Sequence, residues 1–117
     1  MSSFLNIQIF GVKKCFDTKK AERYFKERKI KYQFVDLTMF SLSKGELQSV
    51  KAAIGLNNLV NSESKDYKKL NMDRIISMSG REEMLFNNPS LYKTPIVRNG
   101  KQATVGYMPD IWASWVD

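Results

Sequence analysis

The sequence predicts an α/β fold with one mixed four-stranded sheet, in the order strand, helix, strand, helices, two strands and a last helix. Strand, helix and strand follow one another within about thirty residues, the length of a right-handed βαβ unit with parallel strands. A hairpin signal then follows near the end of the chain at Asn99-Gly100. The 117 residues, 43% hydrophobic and 26% charged, have the size and balance of a single globular domain.

The first strand is predicted from apolar residues on both of its faces, as expected for a strand that is buried on both sides. These residues are Phe4, Ile7, Ile9 and Phe10. Asp17 or Thr18 is expected to cap the following helix, which runs to about Arg28. Residues 32–36, rich in aromatic and β-branched side chains, predict the second strand of the unit.

Two capping boxes predict helices in the middle of the chain. Ser43 and Glu46 form the first box, and Gly55 is expected to end that helix in a left-handed conformation. Ser79 and Glu82 form the second box, whose helix is expected to close at the Asn-Asn-Pro segment that follows. These boxes indicate a helical layer rather than more sheet.

The remaining elements complete the predicted fold. Residues 64–70 predict a weaker helix, and residues 94–98 and 101–105 predict the two strands of the hairpin, joined by a type I′ turn. Pro109 starts a last amphipathic helix, whose apolar residues are Ile111, Trp112, Trp115 and Val116. We expect one domain, 1–117, with a helical insertion at about 38–90.

Cys15, the only cysteine, lies where the first strand passes into the first helix. A thiol there faces unpaired helix amides and the positive end of the helix dipole, which both favour the thiolate. Nearby positive charges add to this effect, and they belong to Lys13, Lys14, Lys19 and Lys20. The alternative interpretations are a small buried hydrophobic side chain for the cysteine and a solvated face for the lysines.

The composition excludes several kinds of site. Histidine is absent, which excludes His-based zinc sites and every Ser-His or Cys-His catalytic pair. A single cysteine excludes an internal disulfide and a Cys-only metal site, so no metal ion is expected. The chain has no apolar run long enough for a membrane span and no signal-peptide pattern at its start, so we expect a cytoplasmic protein without membrane contact.

The net charge of +7 has two interpretations. The lysines are spread along the chain and no arginine-rich block occurs, so direct binding of nucleic acid is not favoured. Small anionic thiols or acidic protein surfaces would be attracted by the same charge.

A second pattern accompanies the cysteine. The Thr18 hydroxyl, three residues after Cys15, can reach back to hydrogen-bond the sulfur anion. Thr94-Pro95 opens an edge of the later hairpin, where proline is awkward because it cannot donate to the ladder. If that peptide bond is cis, the backbone of Thr94 faces the cysteine and can pair with an extended peptide or a thiol. An ordinary edge-strand start explains the proline equally well.

Together these residues resemble the arsenate-reductase-like (ArsC/Spx) family of the thioredoxin superfamily. The similarity covers nearly the whole chain and is carried by residues 11–21, 59–70 and 93–97 with 105–107. It implies a thioredoxin-like fold, with the sheet interrupted by a helical insertion.

The resemblance also bears on arsenate reduction. Members that reduce arsenate use the first-loop cysteine as nucleophile and arginines to hold the oxyanion. This chain has Glu63, Thr94 and Tyr107 in the segments that match those arginines, which argues against efficient arsenate reduction. Cations elsewhere are candidates to replace them, namely Arg74, Arg81, Lys93 and Arg98. An arsenate reductase with an altered oxyanion site therefore remains an alternative.

The resemblance favours a thiol-dependent oxidoreductase with monothiol chemistry, because Thr18 replaces the second cysteine of the Cys-x-x-Cys switch of related regulators. Cys15 would form a mixed disulfide, Lys14 would lower its pKa and Thr18 would stabilise its anion. The residues expected to bind substrate are Thr94, Pro95, Lys93 and Arg98. No bound cofactor is expected, and glutathione or another low-molecular-weight thiol would be the cosubstrate that resolves the disulfide.

The competing hypothesis is a non-enzymatic, Spx-like regulator that binds RNA polymerase or another protein. Its basis is the basic surface and a helix face formed by Trp112 and Trp115. Tryptophans at that spacing are more typical of a core than of an interface.

Overall fold

The computed structural model describes residues 5–115; the predictions for Phe4 and Val116 lie outside them. Within this range, one sheet has the strand order β2-β1-β3-β4. The strands are β1 (Ile7–Gly11), β2 (Tyr32–Asp36), β3 (Ile96–Asn99) and β4 (Gln102–Val105). β1 is parallel to β2 and antiparallel to β3, and β3 is antiparallel to β4. The predicted mixed four-stranded sheet is confirmed.

Helices cover both faces of the sheet. They are α1 (Phe16–Glu27), α2 (Lys44–Ile54), α3 (Leu56–Leu59), α4 (Lys65–Lys69), α5 (Met78–Asn87) and α6 (Pro109–Trp115). Short 3₁₀ turns at Met72–Arg74 and Pro89–Leu91 flank α5. The helices α2 to α5 all lie between β2 and β3 in the chain. The limits of the domain, 1–117, and of the insertion, about 38–90, stay predictions. No helix within 5–115 is long and apolar enough to cross a membrane.

Each face of the sheet has its own hydrophobic cluster. Phe10 and Ile96 belong to the cluster that contains α2, whereas Ile9 and Val97 belong to the one that contains α1 and α6. Trp112 is fully buried in the second cluster, and its Nε1 donates a hydrogen bond to Thr104 Oγ1 at 2.8 Å. Trp115 is buried as well. The two tryptophans therefore belong to the core and do not offer a docking face.

The helix starts differ in part from the prediction. The capping box of Ser43 is confirmed. α1 is capped by Cys15 and not by Asp17 or Thr18, because the N–H of Lys19 already donates to the carbonyl oxygen of Cys15 at 3.1 Å. The second predicted box is also wrong, because Ser77, rather than Ser79, caps α5 by accepting a hydrogen bond from the N–H of Gly80 at 3.1 Å.

The structure corrects two predictions about glycines that have a positive φ. Gly55 ends α2 with φ +96° and ψ 138°, which is outside the left-handed helical region. In the hairpin, Asn99 pairs with Gln102, so that the two loop residues are Gly100 and Lys101. Gly100 has φ +61° and Lys101 has no positive φ, which is the pattern of a type II′ turn rather than type I′. Asn99 stays in the strand, where its Oδ1 accepts a hydrogen bond from the N–H of residue 6.

Candidate thiol site

The thiol lies in a short turn between β1 and α1. The N–H of Cys15 donates to the carbonyl oxygen of Val12 at 3.0 Å, which closes the turn directly after the strand ends at Gly11. Cys15 is the N-cap residue of the twelve-residue helix α1, with extended backbone angles and no capping hydrogen bond from its side chain. The cysteine is partly exposed. The sulfur is thus accessible at the positive end of a helix dipole.

The structure brings Thr94 and Pro95 to this thiol. Cys15 Sγ donates to the carbonyl oxygen of Thr94 across 3.7 Å. The Thr94–Pro95 peptide bond is cis, and Pro95 is buried. β3, which starts directly after this bond, is an interior strand, so the predicted edge position is wrong. The backbone of Thr94 faces the cysteine, as the sequence suggested for a cis bond.

Thr18 lies one helical turn after Cys15 and is completely buried. Its Oγ1 has no hydrogen-bond partner among the described residues. A Cβ atom built on Gly11 would lie 2.6 Å from this oxygen and 2.7 Å from Thr18 Cγ2, so the glycine lets the threonine pack against the end of β1. Gly11 was not recognised from the sequence as a site residue, and its position at a strand end was the available signal.

The environment of Cys15 favours its anion. Partial burial is the largest single influence and raises the pKa of the thiol. The hydroxyls of Thr94 and Thr18 and the N–H groups of Thr18 and Asp17, which can donate to the thiolate, outweigh it, and the pKa is lowered overall. A neutral thiol is a weak acceptor, which explains why the Thr18 hydroxyl is unpartnered while the S–H group points to Thr94. The thiolate would supply that hydroxyl with an acceptor.

The lysines play a smaller part in this environment. Lys14 is exposed next to Cys15, and no lysine is among the groups that lower the pKa of the thiol. Lys19 Nζ lies 5.7 Å from the ring centroid of Phe16, which is 78% exposed and directly follows Cys15 in the chain. The structure thus places Lys14 near the cysteine without a hydrogen bond to its sulfur.

Lys93 and Arg98 do not contact the thiol. Lys93 is exposed, and its N–H donates to the carbonyl oxygen of residue 59 at 2.7 Å. Arg98 is paired with Gln8, three residues before Gly11, or about 10 Å along the sheet. Its Nη1 donates to Gln8 Oε1 at 2.6 Å and its Nε donates to Ser49 Oγ at 3.2 Å. This guanidinium is already held between the sheet and α2.

Comparisons with known proteins agree with this architecture. A family model described as the ArsC family matches residues 10–114. The global transcriptional regulator Spx 2 of Oceanobacillus iheyensis is 28% identical over 109 residues, covering 91% of this chain and 80% of the regulator. Spx of Streptococcus pyogenes serotype M6 is 26% identical over 107 residues, covering 89% and 80%. The solved structure of an arsenate reductase from Vibrio cholerae has the same fold, with a TM-score of 0.81 at 22% identity, covering 96% of this chain and 98% of that one.

Proposed function

Since the chain belongs to the ArsC family, we propose that it is a thiol-dependent oxidoreductase whose nucleophile is the thiolate of Cys15. The observation that carries this proposal is the fully buried hydroxyl of Thr18, which has no partner among the described residues and lies among the groups that favour the sulfur anion. A buried polar group without a partner is costly, and this one is relieved when a thiolate accepts its hydrogen bond.

The reaction proceeds by two exchanges. The Cys15 thiolate attacks one sulfur of a disulfide substrate, an S–S bond forms to Cys15, and the other sulfur leaves with the electron pair as a thiolate. The chain has no second cysteine to resolve this bond. An external low-molecular-weight thiol, such as glutathione, therefore attacks as its thiolate, forms a new disulfide with the substrate sulfur and releases Cys15 as thiolate. A second such thiolate then attacks the thiol-derived sulfur of this new disulfide, forms the oxidised low-molecular-weight disulfide and releases the remaining substrate sulfur as a thiolate, so two thiols reduce one substrate disulfide.

The site residues have separate roles in this scheme. Thr18 donates a hydrogen bond to the thiolate, and the N-terminus of α1 supplies further donors. Thr94 and Pro95 form the wall of the site against which the substrate sulfur approaches. Lys14 acts only through its charge in solvent, where its effect is small. Lys93 and Arg98 have no part in the exchange step.

Arsenate reduction is less well supported as the activity. An arsenate oxyanion needs charge-assisted donors, of which arginine is the most effective. Among residues 5–115, no arginine donates a hydrogen bond to Cys15 or contributes to lowering its pKa. Arg81 donates instead to the carbonyl oxygens of Ile75 and Met72. We expect no arsenate-dependent turnover in the presence of glutathione and a glutaredoxin.

A regulatory role is the second candidate, and the similarity to proteins named global transcriptional regulators favours it. Such a protein would bind a partner such as RNA polymerase without turnover. Binding of purified RNA polymerase by the wild type and by Cys15→Ser with equal affinity, together with no disulfide exchange, would support this role over the enzyme.

Mass spectrometry tests the proposal directly. The wild type and Cys15→Ser are each incubated with oxidised glutathione and then with reduced glutathione. We expect the wild type to gain one glutathionyl group that reduced glutathione removes, and the variant to gain none. The absence of an adduct on the wild type, or a measured pKa of Cys15 at or above the unperturbed value of about 8.5, would contradict the proposal.

A further inference from the structure

We propose that the substrate is a protein or peptide disulfide that has acidic side chains near its reacting cysteine, and that these side chains bind in a groove beside α1. The inference rests on the proposed function and adds a substrate class to it. The groove has a volume of about 470 Å³. Its walls are formed by Lys20, Arg23, Glu27 and Arg28 on the α1 side and by Tyr107 and Pro109 on the other side.

The charges in the groove are unbalanced. Arg23 Nε donates to Glu27 Oε2 at 3.1 Å, so these two charges neutralise each other. Lys20 and Arg28 have no ion pair with a carboxylate among residues 5–115. The groove thus offers two cations without acidic partners, and an acidic ligand complements it.

Both cations are held over aromatic rings. Lys20 Nζ lies 5.6 Å from the ring centroid of Tyr107, and Arg28 Cζ lies 3.8 Å from that of Tyr24. Arg28 Nη1 also donates to the carbonyl oxygen of Tyr24 at 3.3 Å. Cation–π contacts do not neutralise these charges, and they restrict the two long side chains before a ligand arrives.

The spacing of the cations favours a peptide over a small anion. Lys20 lies five residues beyond Cys15 and Arg28 thirteen, which is about 8 Å and about 20 Å along a helix. The Cα atoms of the two residues are therefore about 12 Å apart along the helix, and their charged groups lie over two different rings, so a peptide with more than one carboxylate can pair with both. An extended peptide with its cysteine at Cys15 would reach them with residues about two and about six positions away.

The side chain of Phe16 extends this surface towards the thiol. It is 78% exposed and lies between Cys15 and the groove in the chain. An exposed aromatic side chain next to the reacting sulfur offers an apolar contact to the residue that neighbours the substrate cysteine. The surface thus combines a reactive end, an apolar contact and a cationic groove.

The test compares three peptides, each joined through its single cysteine to 2-nitro-5-thiobenzoate. They have acidic, neutral or basic residues on both sides at two to six positions from the cysteine. Attack by Cys15 on the peptide sulfur forms the mixed disulfide and releases the coloured thiolate. At low salt we expect the acidic peptide to react about tenfold faster than the basic one, a difference that salt removes.

Charge-removing variants locate the effect. Lys20→Gln and Arg28→Gln are each expected to slow the acidic peptide about threefold and to leave the neutral peptide unchanged. Lys101→Gln removes the same charge in the hairpin loop, at the opposite end of β3 from Pro95, and is expected to change neither rate. Equal rates for the three peptides, or equal effects of all three variants, would overturn this inference while leaving the proposed function intact.

Two further outcomes separate the hypotheses. If Cys15 reacts with none of the peptides, the proposed function itself fails. If Lys20→Gln and Arg28→Gln slow exchange with oxidised glutathione as much as with the acidic peptide, the groove serves small thiols and the peptide inference is wrong.

Discussion

Two sets of polar groups, one towards each end of the neighbouring strands β1 and β3, differ in whether their hydrogen bonds are made within the protein. At the Gln8–Arg98 end, the guanidinium donates to Gln8 Oε1 and Ser49 Oγ, and Gln8 Nε2 donates to Glu46 Oε2 at 3.1 Å. At the other end, the Thr18 hydroxyl is buried without a partner. The first set of groups has its hydrogen bonds made within the protein, whereas the second has a donor left for an anion.

This difference separates a structural network from a candidate site more clearly than residue type does. Arginine is the usual residue for binding an anion, yet Arg98 joins the sheet to α2 through Ser49. Thr18 is a neutral side chain that is completely buried, yet it has the unused donor. An unused donor next to the thiol, rather than residue type, therefore marks the candidate site.

The largest expected effect is a loss of stability, caused by a change at the Gln8–Arg98 end, where the hydrogen bonds are made within the protein. Arg98→Met removes both donors and leaves the oxygens of Gln8 and Ser49 without them in a partly buried place. We expect the free energy of unfolding to fall by about 2–3 kcal/mol, measured by urea denaturation. The rate of disulfide exchange by the remaining folded protein is expected to stay within a factor of two.

Arg23→Met is the matched control for this change. It breaks the ion pair with Glu27, whose two side chains are 78% and 59% exposed, so a loss below about 0.5 kcal/mol is expected. If Arg98→Met instead slowed exchange without a loss of stability, Arg98 would belong to the substrate site, as the sequence suggested, and the contrast between the two ends would be wrong.

Much of the fold could be predicted from the sequence, because the periodicity of apolar residues and the turn-forming residues are local signals. The sequence predicted the order of the strands and of the helices other than α3, and the box at Ser43. It did not distinguish Ser77 from Ser79 as the cap of α5, since both serines precede the same apolar residues and the choice depends on tertiary packing. The turn type also depended on a distant contact, the hydrogen bond that keeps Asn99 in β3.

The site was predictable to a similar degree. Cys15, Thr18 and Thr94 could be named from the sequence because each is a chemically suitable residue at or near a junction between elements, and the structure brings them together. The role of Arg98 was not predictable, because its partner Ser49 is forty-nine residues away in the chain. Gly11 was missed for a different reason, since its role is the absence of a side chain that would collide with Thr18, and this role appears only in the packing.

The second-largest expected effect is that of a substitution that tests the role of Gly11. Gly11→Ala puts a Cβ atom 2.6 Å from Thr18 Oγ1, so the threonine must move away from the end of β1. We expect a loss of about 1–2 kcal/mol in the free energy of unfolding and slower exchange at Cys15. Urea denaturation and the peptide exchange assay measure the two effects on the same sample.

A double variant separates packing from chemistry at this position. Thr18→Ala removes the two atoms that collide with the new methyl group, so Gly11→Ala should cost at least 1 kcal/mol less in its presence, by the usual coupling of contacting residues. Exchange should remain slow in the double variant, because the hydroxyl is gone. Recovery of both stability and exchange rate would show that Thr18 acts through its shape alone.

The smallest effect is the most specific one, and it concerns pH. Thr18→Val keeps the shape of the side chain and removes a donor to the thiolate, so the lowered pKa of Cys15 rises. A hydrogen bond to a charged group contributes about 1.5 kcal/mol. Below the pKa the variant has less thiolate, while each thiolate is more nucleophilic because it is more basic, with a Brønsted coefficient of about 0.4–0.5. The net rate of exchange is therefore expected to fall about fourfold at low pH and to rise about threefold at high pH, where both proteins are ionised. The two pH–rate profiles should cross, whereas a variant that merely disturbed packing would be slower at every pH.

The stability of Thr18→Val gives a second readout. Removing an unpartnered buried hydroxyl should leave the free energy of unfolding of the neutral thiol form unchanged or raised, because no hydrogen bond within the described residues is lost.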